Sequence, residues 1–248
     1  MESPPEVQLR LLDLQEVDSA VDRLAHRRRT LPELAEIERL DVRLAQLRDD
    51  VTGVETEISD IEREQRKVEN DVDMVRSRIE RDQQRLDTGA VNSAKELESL
   101  QHEVGSLAKR RSDLEDLVLE QMERKEEAEL RLRAFTEERD MLLAAREAAE
   151  STRDAVFAEV DRDSADHAAT RGELAAELAG PLLDLYEKVR ASSGGVGAAP
   201  LHRGRCEGCH LSLPPSDLSR IKAAPAEEVL RCEECRRILV RRPDSGLE

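Results

Sequence analysis

The sequence predicts a mostly α-helical protein, in which a long antiparallel coiled-coil hairpin is followed by a small β-rich domain that contains four cysteines. Three observations support this fold class. The composition is 38% charged and 1% aromatic with no Trp, which is typical of long solvated helices with a narrow apolar seam. Apolar residues recur at alternating spacings of three and four along two long segments. All four cysteines lie near the C-terminus.

The first arm of the hairpin is marked by an apolar seam that only Gln65 and Asp82 interrupt. Spacings of three and four over many turns keep such a seam facing a partner helix once the two helices supercoil. The same phase appears upstream of Pro32, where we expect a kink because proline removes a helical hydrogen bond. The seam comprises Ile37, Leu40, Leu44, Leu47, Val51, Val54, Ile58, Ile61, Val68, Val72, Val75, Ile79 and Leu86.

A hairpin tip is predicted near residues 87–93. Gly89 can adopt a positive φ, and Ser93 stands three residues before Glu96, a capping-box arrangement that opens a helix. The second arm then carries its own heptad frame. Its apolar members are Leu97, Leu100, Val104, Leu107, Leu114, Val118, Ala128, Leu132, Phe135, Leu142, Ala149, Val156 and Val160.

Polar side chains interrupt this second seam at several positions, and two explanations are open. The long side chains could extend to solvent where the register drifts, or the polar layers could recruit a partner. The interrupting residues are Arg111, Gln121, Lys125, Arg139, Arg146 and Arg153.

The end of the second arm is marked by Gly172, Gly180 and Pro181, which predict a bend or a restart near 172–181. Beyond it, we expect Tyr186 to pack the C-terminal domain against the hairpin.

The composition changes after Ser193, so we predict a hairpin domain over 1–193 and a second domain over 194–248. The second domain holds nine Lys/Arg and eight Asp/Glu, whereas the preceding segment holds 30 and 48. The acidic hairpin therefore excludes a nucleic-acid footprint over the whole surface. No P-loop, Ser-His-Asp or H-E-x-x-H pattern is present, so we expect no enzymatic activity.

The N-terminus leads directly into charged helix, without the apolar core of a signal peptide, and no segment approaches the roughly 20 apolar residues of a membrane span. We therefore expect a soluble, cytoplasmic protein with no membrane contact. In such a reducing compartment, paired C-x-x-C motifs favour metal binding over disulfides.

The cysteines form two C-x-x-C pairs, Cys206 with Cys209 and Cys232 with Cys235, separated by 22 residues. Each pair can direct two sulfurs at one point, and two pairs complete a closed tetrahedral site for one structural Zn²⁺. We expect a loop around Pro214 and Pro215 between them. Two histidines flank the first pair but are not needed as ligands, so we interpret them as surface or neighbouring residues. They are His202 and His210.

Arginines are concentrated around the predicted metal site and form a candidate nucleic-acid-binding set. They suit phosphate contacts, although they could equally neutralise the net charge of minus 2 that four thiolates and Zn²⁺ carry. The set comprises Arg203, Arg205, Arg231, Arg236, Arg237, Arg241 and Arg242.

Several motifs together resemble the bacterial C4-type zinc-ribbon family that is built on an N-terminal coiled-coil hairpin. They are the run from Val91 to Leu100, the stretch Tyr186–Arg190, the C-E-G-C motif, and C-E-E-C-R-R-I-L-V ending at Val240. The chain departs from the family where Gly commonly follows the last Cys and an aromatic residue closes the strand, since Arg236 and Val240 stand there. An aromatic stacking surface is therefore not expected.

The resemblance implies a hairpin with a zinc ribbon at its base, no enzymatic activity, and an adaptor, chaperone or regulatory role. Members in flagellated bacteria are associated with motility control through protein partners and RNA. One hypothesis is that the ribbon binds nucleic acid while the coiled coil binds a protein partner. The alternative is a protein-only scaffold or chaperone with a structural zinc cap. Both are compatible with a monomer or a homodimer.

Overall fold

The computed structural model describes residues 1–91 and 93–247, so Asn92 in the predicted tip and the terminal Glu248 lie outside the described residues. The chain is 76% helical and ends in a small strand-rich region, which confirms the predicted fold class. No helix among the described residues combines the length and apolarity that a bilayer crossing requires. The elements are α1 (Pro5–Arg29), α2 (Pro32–Asp87), α3 (Ala94–Glu177), α4 (Pro181–Ser192), β1 (Ala198–His202), β2 (Arg205–Cys206), α5 (Pro215–Ala223), β3 (Leu230–Arg231) and β4 (Ile238–Val240).

The chain divides into two compact units that are described separately. The hairpin unit is Ala35–Ala149, and the ribbon unit combines Met1–Leu34 with Glu150–Glu248. The ribbon unit therefore contains α1, the start of α2, the last part of α3, α4, α5 and the strands β1 to β4. The boundary between 193 and 194 remains a prediction.

In the hairpin unit, α2 and α3 run antiparallel. Glu57 pairs with Arg131 at 2.7 Å, and further along α2 Glu62 pairs with Lys125, earlier on α3, also at 2.7 Å. The seam residues of α2 are buried or partly buried, and Leu47 is fully enclosed. A small apolar cluster lies in the middle of the unit. It consists of Val54, Ile61 and Ala128, with Ile58, Leu132 and Phe135 packed against them.

The helices are interrupted at proline and glycine residues. The first helix ends at Arg29 and α2 begins at Pro32, whose fixed φ suits a first helical position. In contrast, α3 continues through Gly172, because a single glycine costs a packed helix only about 1 kcal/mol. The chain breaks instead at Gly180, which has φ +117, and α4 starts at Pro181.

The sheet of the ribbon unit has the strand order β2-β1-β4-β3, with β1 and β4 parallel and the outer pairs antiparallel. Successive side chains of a strand point to opposite faces. Ile238 and Val240 therefore lie on one face with Ala198, while Leu239 lies on the other with Leu201. The two faces build two different cores.

The first face of the sheet packs on helices, and Tyr186 is fully buried there, as the sequence predicts. The helical members of this core are Leu11, Leu14, Leu174, Leu178, Leu182 and Tyr186. The N-terminal residues also join the strand region, because Ser3 N donates to Glu227 O at 2.7 Å and Val229 N donates to Met1 O at 3.0 Å. The strands of this unit thus share a core with its helices.

The segment between the cysteine pairs differs from the prediction of a loop around Pro214 and Pro215, because it contains the helix α5. Pro215 occupies the first helical position, where its missing N–H costs nothing. Ile221 is buried and Leu218 is partly buried against the second core. The short amphipathic helix thereby covers the face of the sheet that contains the cysteines.

Candidate zinc centre and cationic face

The four cysteine sulfurs converge on one point of the ribbon unit. Their Sγ atoms all lie within 4.8 Å of one another, with Cys206 and Cys235 3.9 Å apart and Cys209 and Cys232 4.0 Å apart. Four thiolates around Zn²⁺ at about 2.3 Å would be separated by about 3.8 Å. All four are free thiols, so the donor set matches a closed tetrahedral zinc site.

Two similar turns of backbone position these sulfurs. His210 N donates to Cys206 O at 2.7 Å, and Arg236 N donates to Cys232 O at 2.9 Å. The residue after each pair has a positive φ, 61° at His210 and 63° at Arg236. Each turn therefore closes on the carbonyl of its first cysteine and brings the second sulfur beside the first.

The electrostatics of the thiols favour a bound cation. Burial raises the pKa of Cys206 to about 12 and also raises the pKa of Cys232, although backbone N–H groups partly offset this. Burial also opposes ionisation of Cys235, but hydrogen bonds from the backbone and side chain of Arg237, together with those from Cys232 and Cys209, outweigh it and lower the pKa of Cys235 to about 7. Because buried thiolates need a compensating positive charge, a metal ion suits the site.

Gly208 allows the first turn to approach the sheet. A Cβ at this position would lie 2.9 Å from the Ala199 Cβ and 2.7 Å from the Arg237 Cδ. Both distances are shorter than real carbon contacts, so a side chain here would displace β1 or Arg237. The glycine between the first two cysteines is therefore required by the packing.

The two flanking histidines lie outside the sulfur cluster. His202 Nδ1 is 3.0 Å from an Asp244 carboxylate oxygen, and His210 is exposed with Nδ1 3.6 Å from Glu207. Among the described residues, the cluster of potential metal ligands contains cysteines alone. Their positions agree with the interpretation of both histidines as surface or neighbouring residues.

Two arginines of the candidate nucleic-acid-binding set have internal roles. Arg237 donates to Val196 O at 3.1 Å and to Ser193 O at 2.7 Å. Arg241 donates to the carbonyls of Ala224 at 2.9 Å and Ala226 at 2.8 Å, just beyond the end of α5. Both guanidinium groups thus satisfy backbone acceptors, and both residues are only partly exposed.

The other five arginines of the set are exposed. Arg205 Nε donates to His210 O and Arg231 Nε donates to Arg236 O, each at 2.8 Å. These two contacts are equivalent, because each arginine precedes a cysteine pair and each carbonyl follows one. We define the cationic face as Arg203, Arg205, Arg231, Arg236 and Arg242.

Arg236 occupies a backbone conformation that costs an L-residue about 1–2 kcal/mol. Replacing Arg236 with Gly should therefore give a more stable protein than replacing it with Ala, by about 1 kcal/mol. Both changes remove the exposed ion pair with Glu233 at 3.5 Å, so their difference isolates the backbone effect. Chemical denaturation of both variants measures it, and equal midpoints would contradict the expectation.

A polar network that the sequence did not indicate connects the helices to the strands. Gln15 Oε1 accepts hydrogen bonds from Gly197 N at 2.6 Å and Ala198 N at 3.3 Å. Asp18, 2% exposed, accepts from the Tyr186 hydroxyl at 2.7 Å and from Arg171 at 2.6 Å. These polar residues lie within a helix of ordinary amphipathic pattern, and only the tertiary structure shows that they are buried.

Comparison with known protein families agrees with this architecture. Residues 14–194 match the CT398-like coiled coil hairpin domain, and residues 205–239 match the C4-type zinc ribbon domain. The chain belongs to the CT398-like coiled coil hairpin family. The zinc-ribbon match contains all four clustered cysteines, so the family resemblance and the structural zinc are both confirmed. Neither matched family indicates an enzyme.

Proteins of similar sequence occur in mycobacteria. An uncharacterized protein of Mycobacterium tuberculosis is 36% identical over 231 residues, which cover 93% of this chain and 94% of the relative. An uncharacterized protein of Mycobacterium leprae is 31% identical, over 89% of this chain and 94% of the relative. Both alignments cover nearly the full length of the two proteins.

Solved structures show the same fold. A structure from Mycobacterium smegmatis has a TM-score of 0.84 and 34% identity, and the alignment covers 97% of this chain and all of the other. CT398 from Chlamydia trachomatis has a TM-score of 0.71 at 19% identity, with 96% of this chain and 98% of that chain covered. At 19% identity, the similarity to CT398 shows a shared fold and nothing more.

Proposed function

We propose that this protein is a non-enzymatic cytoplasmic adaptor that binds RNA or DNA through its zinc ribbon and a protein partner through its coiled coil. The observation that carries the proposal is the division of the arginines around the zinc site. Arg237 and Arg241 are used internally, whereas the cationic face is exposed. Exposed guanidinium groups on a rigid, metal-supported scaffold are suited to phosphate contacts.

The charge distribution supports the same assignment. Residues 1–193 hold 30 Lys/Arg and 48 Asp/Glu, so a polyanion is repelled by most of the chain. Residues 194–248 are close to neutral, and their arginines are concentrated near the metal. A nucleic acid would therefore be directed to the ribbon, leaving the helical surface free for protein contacts.

A protein-only scaffold is the second candidate, and a specific pair of contacts favours it. Arg205 and Arg231 each donate to a carbonyl of a cysteine turn, so part of the cationic face supports the zinc site itself. In that case the arginines would neutralise the negative zinc–thiolate centre and make no phosphate contacts. The two candidates differ in whether nucleic acid binds at all.

The double variant Arg236→Gln with Arg242→Gln tests nucleic-acid binding, because both side chains are exposed and their ion pairs are weak surface contacts. The wild-type protein should bind single-stranded RNA or DNA with an affinity that falls steeply with salt. Each arginine–phosphate pair contributes about 0.7 to the slope of log affinity against log salt, so removing two pairs should reduce the slope by about 1.4. Fluorescence anisotropy over a salt series measures this slope.

The matched control is Lys109→Gln with Arg110→Gln, which removes two exposed charges from α3 and should leave the slope unchanged. No binding of either nucleic acid to the wild-type protein at low salt would exclude the nucleic-acid role and favour the scaffold. Binding that the double variant leaves intact would place the phosphate-binding residues elsewhere on the chain.

A further inference from the structure

A groove lies between α2 and α3 within the hairpin unit, at positions where the second seam contains arginine. Its volume is about 490 Å³. Leu44, Val51 and Leu143 contribute apolar surface to it, and Leu143 is 47% exposed. Three arginines, Arg48, Arg139 and Arg146, also line it.

The groove exists because Arg139 and Arg146 do not fill the seam with apolar volume. Arg139 donates to Asp140 at 2.8 Å, and Arg146 donates to Asp41 at 2.6 Å. Their charged ends thus pair with carboxylates near the surface, as long arginine side chains do when their stems line apolar surface. Neighbouring seam residues such as Leu47 are fully buried and keep α2 and α3 in register. The seam is therefore open only at the groove, and the two helices remain packed on either side of it.

The charge of the groove is opposite to that of the unit that contains it. Three arginines and one carboxylate, Asp41, line it among the described residues. The hairpin unit as a whole contains 20 Lys/Arg and 31 Asp/Glu. Arg48 is exposed, and its guanidinium forms no ion pair within residues 1–91 and 93–247. A ligand that pairs with these groups must carry negative charge.

The dimensions of the groove suit a helix. Its lining on α2 extends from Asp41 to Thr52, which is about 16 Å or three turns. Arg139 and Arg146 are one heptad apart on α3, so they are about 10 Å apart along the helix. A third helix that lies between two others contacts them every heptad through apolar residues, with charged residues at the flanking positions.

We propose that this groove binds an acidic amphipathic helix of a protein partner. The apolar residues of that helix would cover Leu44, Val51 and Leu143. One of its carboxylates would pair with Arg48. Two others, spaced one heptad apart, would approach Arg139 and Arg146 and share these guanidinium groups with Asp140 and Asp41. The inference rests on the proposed role of the coiled coil in protein binding and names the chemistry of the partner.

The test uses the full-length zinc-bound protein and a labelled helical peptide of about three heptads, with Leu at the a and d positions and Glu at the e and g positions. A second peptide carries Lys in place of every Glu. Anisotropy at low salt should show saturable binding of the acidic peptide and none of the basic peptide. Arg48→Glu should weaken the acidic complex about tenfold or more, because repulsion replaces attraction at that position.

Arg81→Glu is the matched control, since Arg81 is an exposed residue of α2 whose Nε contacts Ser77 of the same helix. It makes the same change of charge and should leave peptide affinity unchanged. Leu143→Ser replaces one of the apolar residues that line the groove and should also weaken binding of the acidic peptide. Circular dichroism checks that each variant keeps the wild-type helicity, which is expected because both Arg48 and Leu143 are exposed.

Three results would overturn the inference. They are failure of the acidic peptide to bind, equal binding of the basic peptide, and equal effects of Arg48→Glu and Arg81→Glu. A dimer of the protein that Arg48→Glu dissociates would assign the groove to a second copy instead. The salt-dependent binding of nucleic acid is measured independently, so failure of the groove is distinguishable from failure of the adaptor function.

Discussion

The variant Cys206→Ser is expected to lose zinc and to unfold the zinc-facing part of the ribbon unit. Cys206 is fully buried, and its sulfur is one of four that converge within 4.8 Å. Structural zinc contributes on the order of 10–16 kcal/mol in small domains, which equals or exceeds the total stability of a typical domain. All four cysteines belong to the core that holds α5 and the cysteine turns, so loss of the metal removes the link between these segments.

The single tyrosine provides the readout for this experiment. Far-ultraviolet dichroism is dominated by the helices, which make up 76% of the chain. Tyr186, by contrast, is buried against Ala198 and Ile238, and with no Trp in the chain its near-ultraviolet signal reports on this packing directly. Burial and the hydrogen bond to Asp18 also raise the pKa of Tyr186, so loosening the ribbon should allow its phenol to ionise at a lower pH.

The controls for the cysteine variant are His202→Ala and His210→Ala. Both should retain one zinc per chain, because neither histidine lies in the sulfur cluster. Chelation of zinc from the wild-type protein should reproduce the effect of Cys206→Ser. If the chelated protein kept its tyrosine signal and the protease resistance of residues 194–248, the zinc would not be needed for folding.

The second large effect is expected from Asp18→Ala, which should destabilise the ribbon unit by about 3–5 kcal/mol. Asp18 is 2% exposed and accepts from Tyr186, while Arg171 and Arg190 lie 2.6 and 3.2 Å from its two oxygens. Removing the carboxylate leaves a buried hydroxyl and two partly buried guanidinium groups without that acceptor. Urea denaturation followed by the tyrosine signal measures the decrease in stability.

Asp22→Ala is the matched control, one turn further along the same helix. Asp22 also pairs with Arg190, at 2.8 Å, but its side chain is 51% exposed. An exposed ion pair contributes at most about 1 kcal/mol, because water and salt screen it. Similar destabilisation by Asp18→Ala and Asp22→Ala would show that burial of Asp18 does not determine its contribution.

These two predictions concern opposite faces of the same sheet. Leu239 faces the zinc side, whereas Ile238 and Val240 face Tyr186 and the helices. Because β4 belongs to both cores, removal of zinc should weaken the helical packing, and removal of the Asp18 carboxylate should weaken the zinc site. Metal affinity in the Asp18→Ala variant is therefore expected to fall below that of the wild-type protein.

The parts of the fold that depend on local spacing were predictable from the sequence. The heptad seam identified both arms, because apolar residues that repeat every 3.5 residues keep one stripe of a helix against a partner helix. The cysteine spacing identified the metal site because two C-x-x-C pairs can meet around one ion. The helix α5 was missed because Pro214 and Pro215 suggest a loop, although a proline also favours the first turn of a helix.

The roles of individual polar residues were not predictable. Seven arginines formed one candidate set by composition. In the structure Arg237 and Arg241 are only partly exposed and each donates to several backbone carbonyls, while the other five are exposed. Likewise, nothing in the local sequence distinguishes Asp18 from Asp22 before their burial is known. Which carbonyls and charges surround a side chain depends on segments more than a hundred residues apart, such as α1 and α4.

The sequence by itself therefore determined the helical hairpin, the four zinc ligands and the acidic character of the helices, since each follows from periodicity, spacing or composition along the chain. Only the tertiary structure decided that the strands share a core with the helices, which arginines are exposed, and where Arg139 and Arg146 leave a groove. Those features arise when distant segments exclude water from one another, and the energy of a polar group depends on that exclusion.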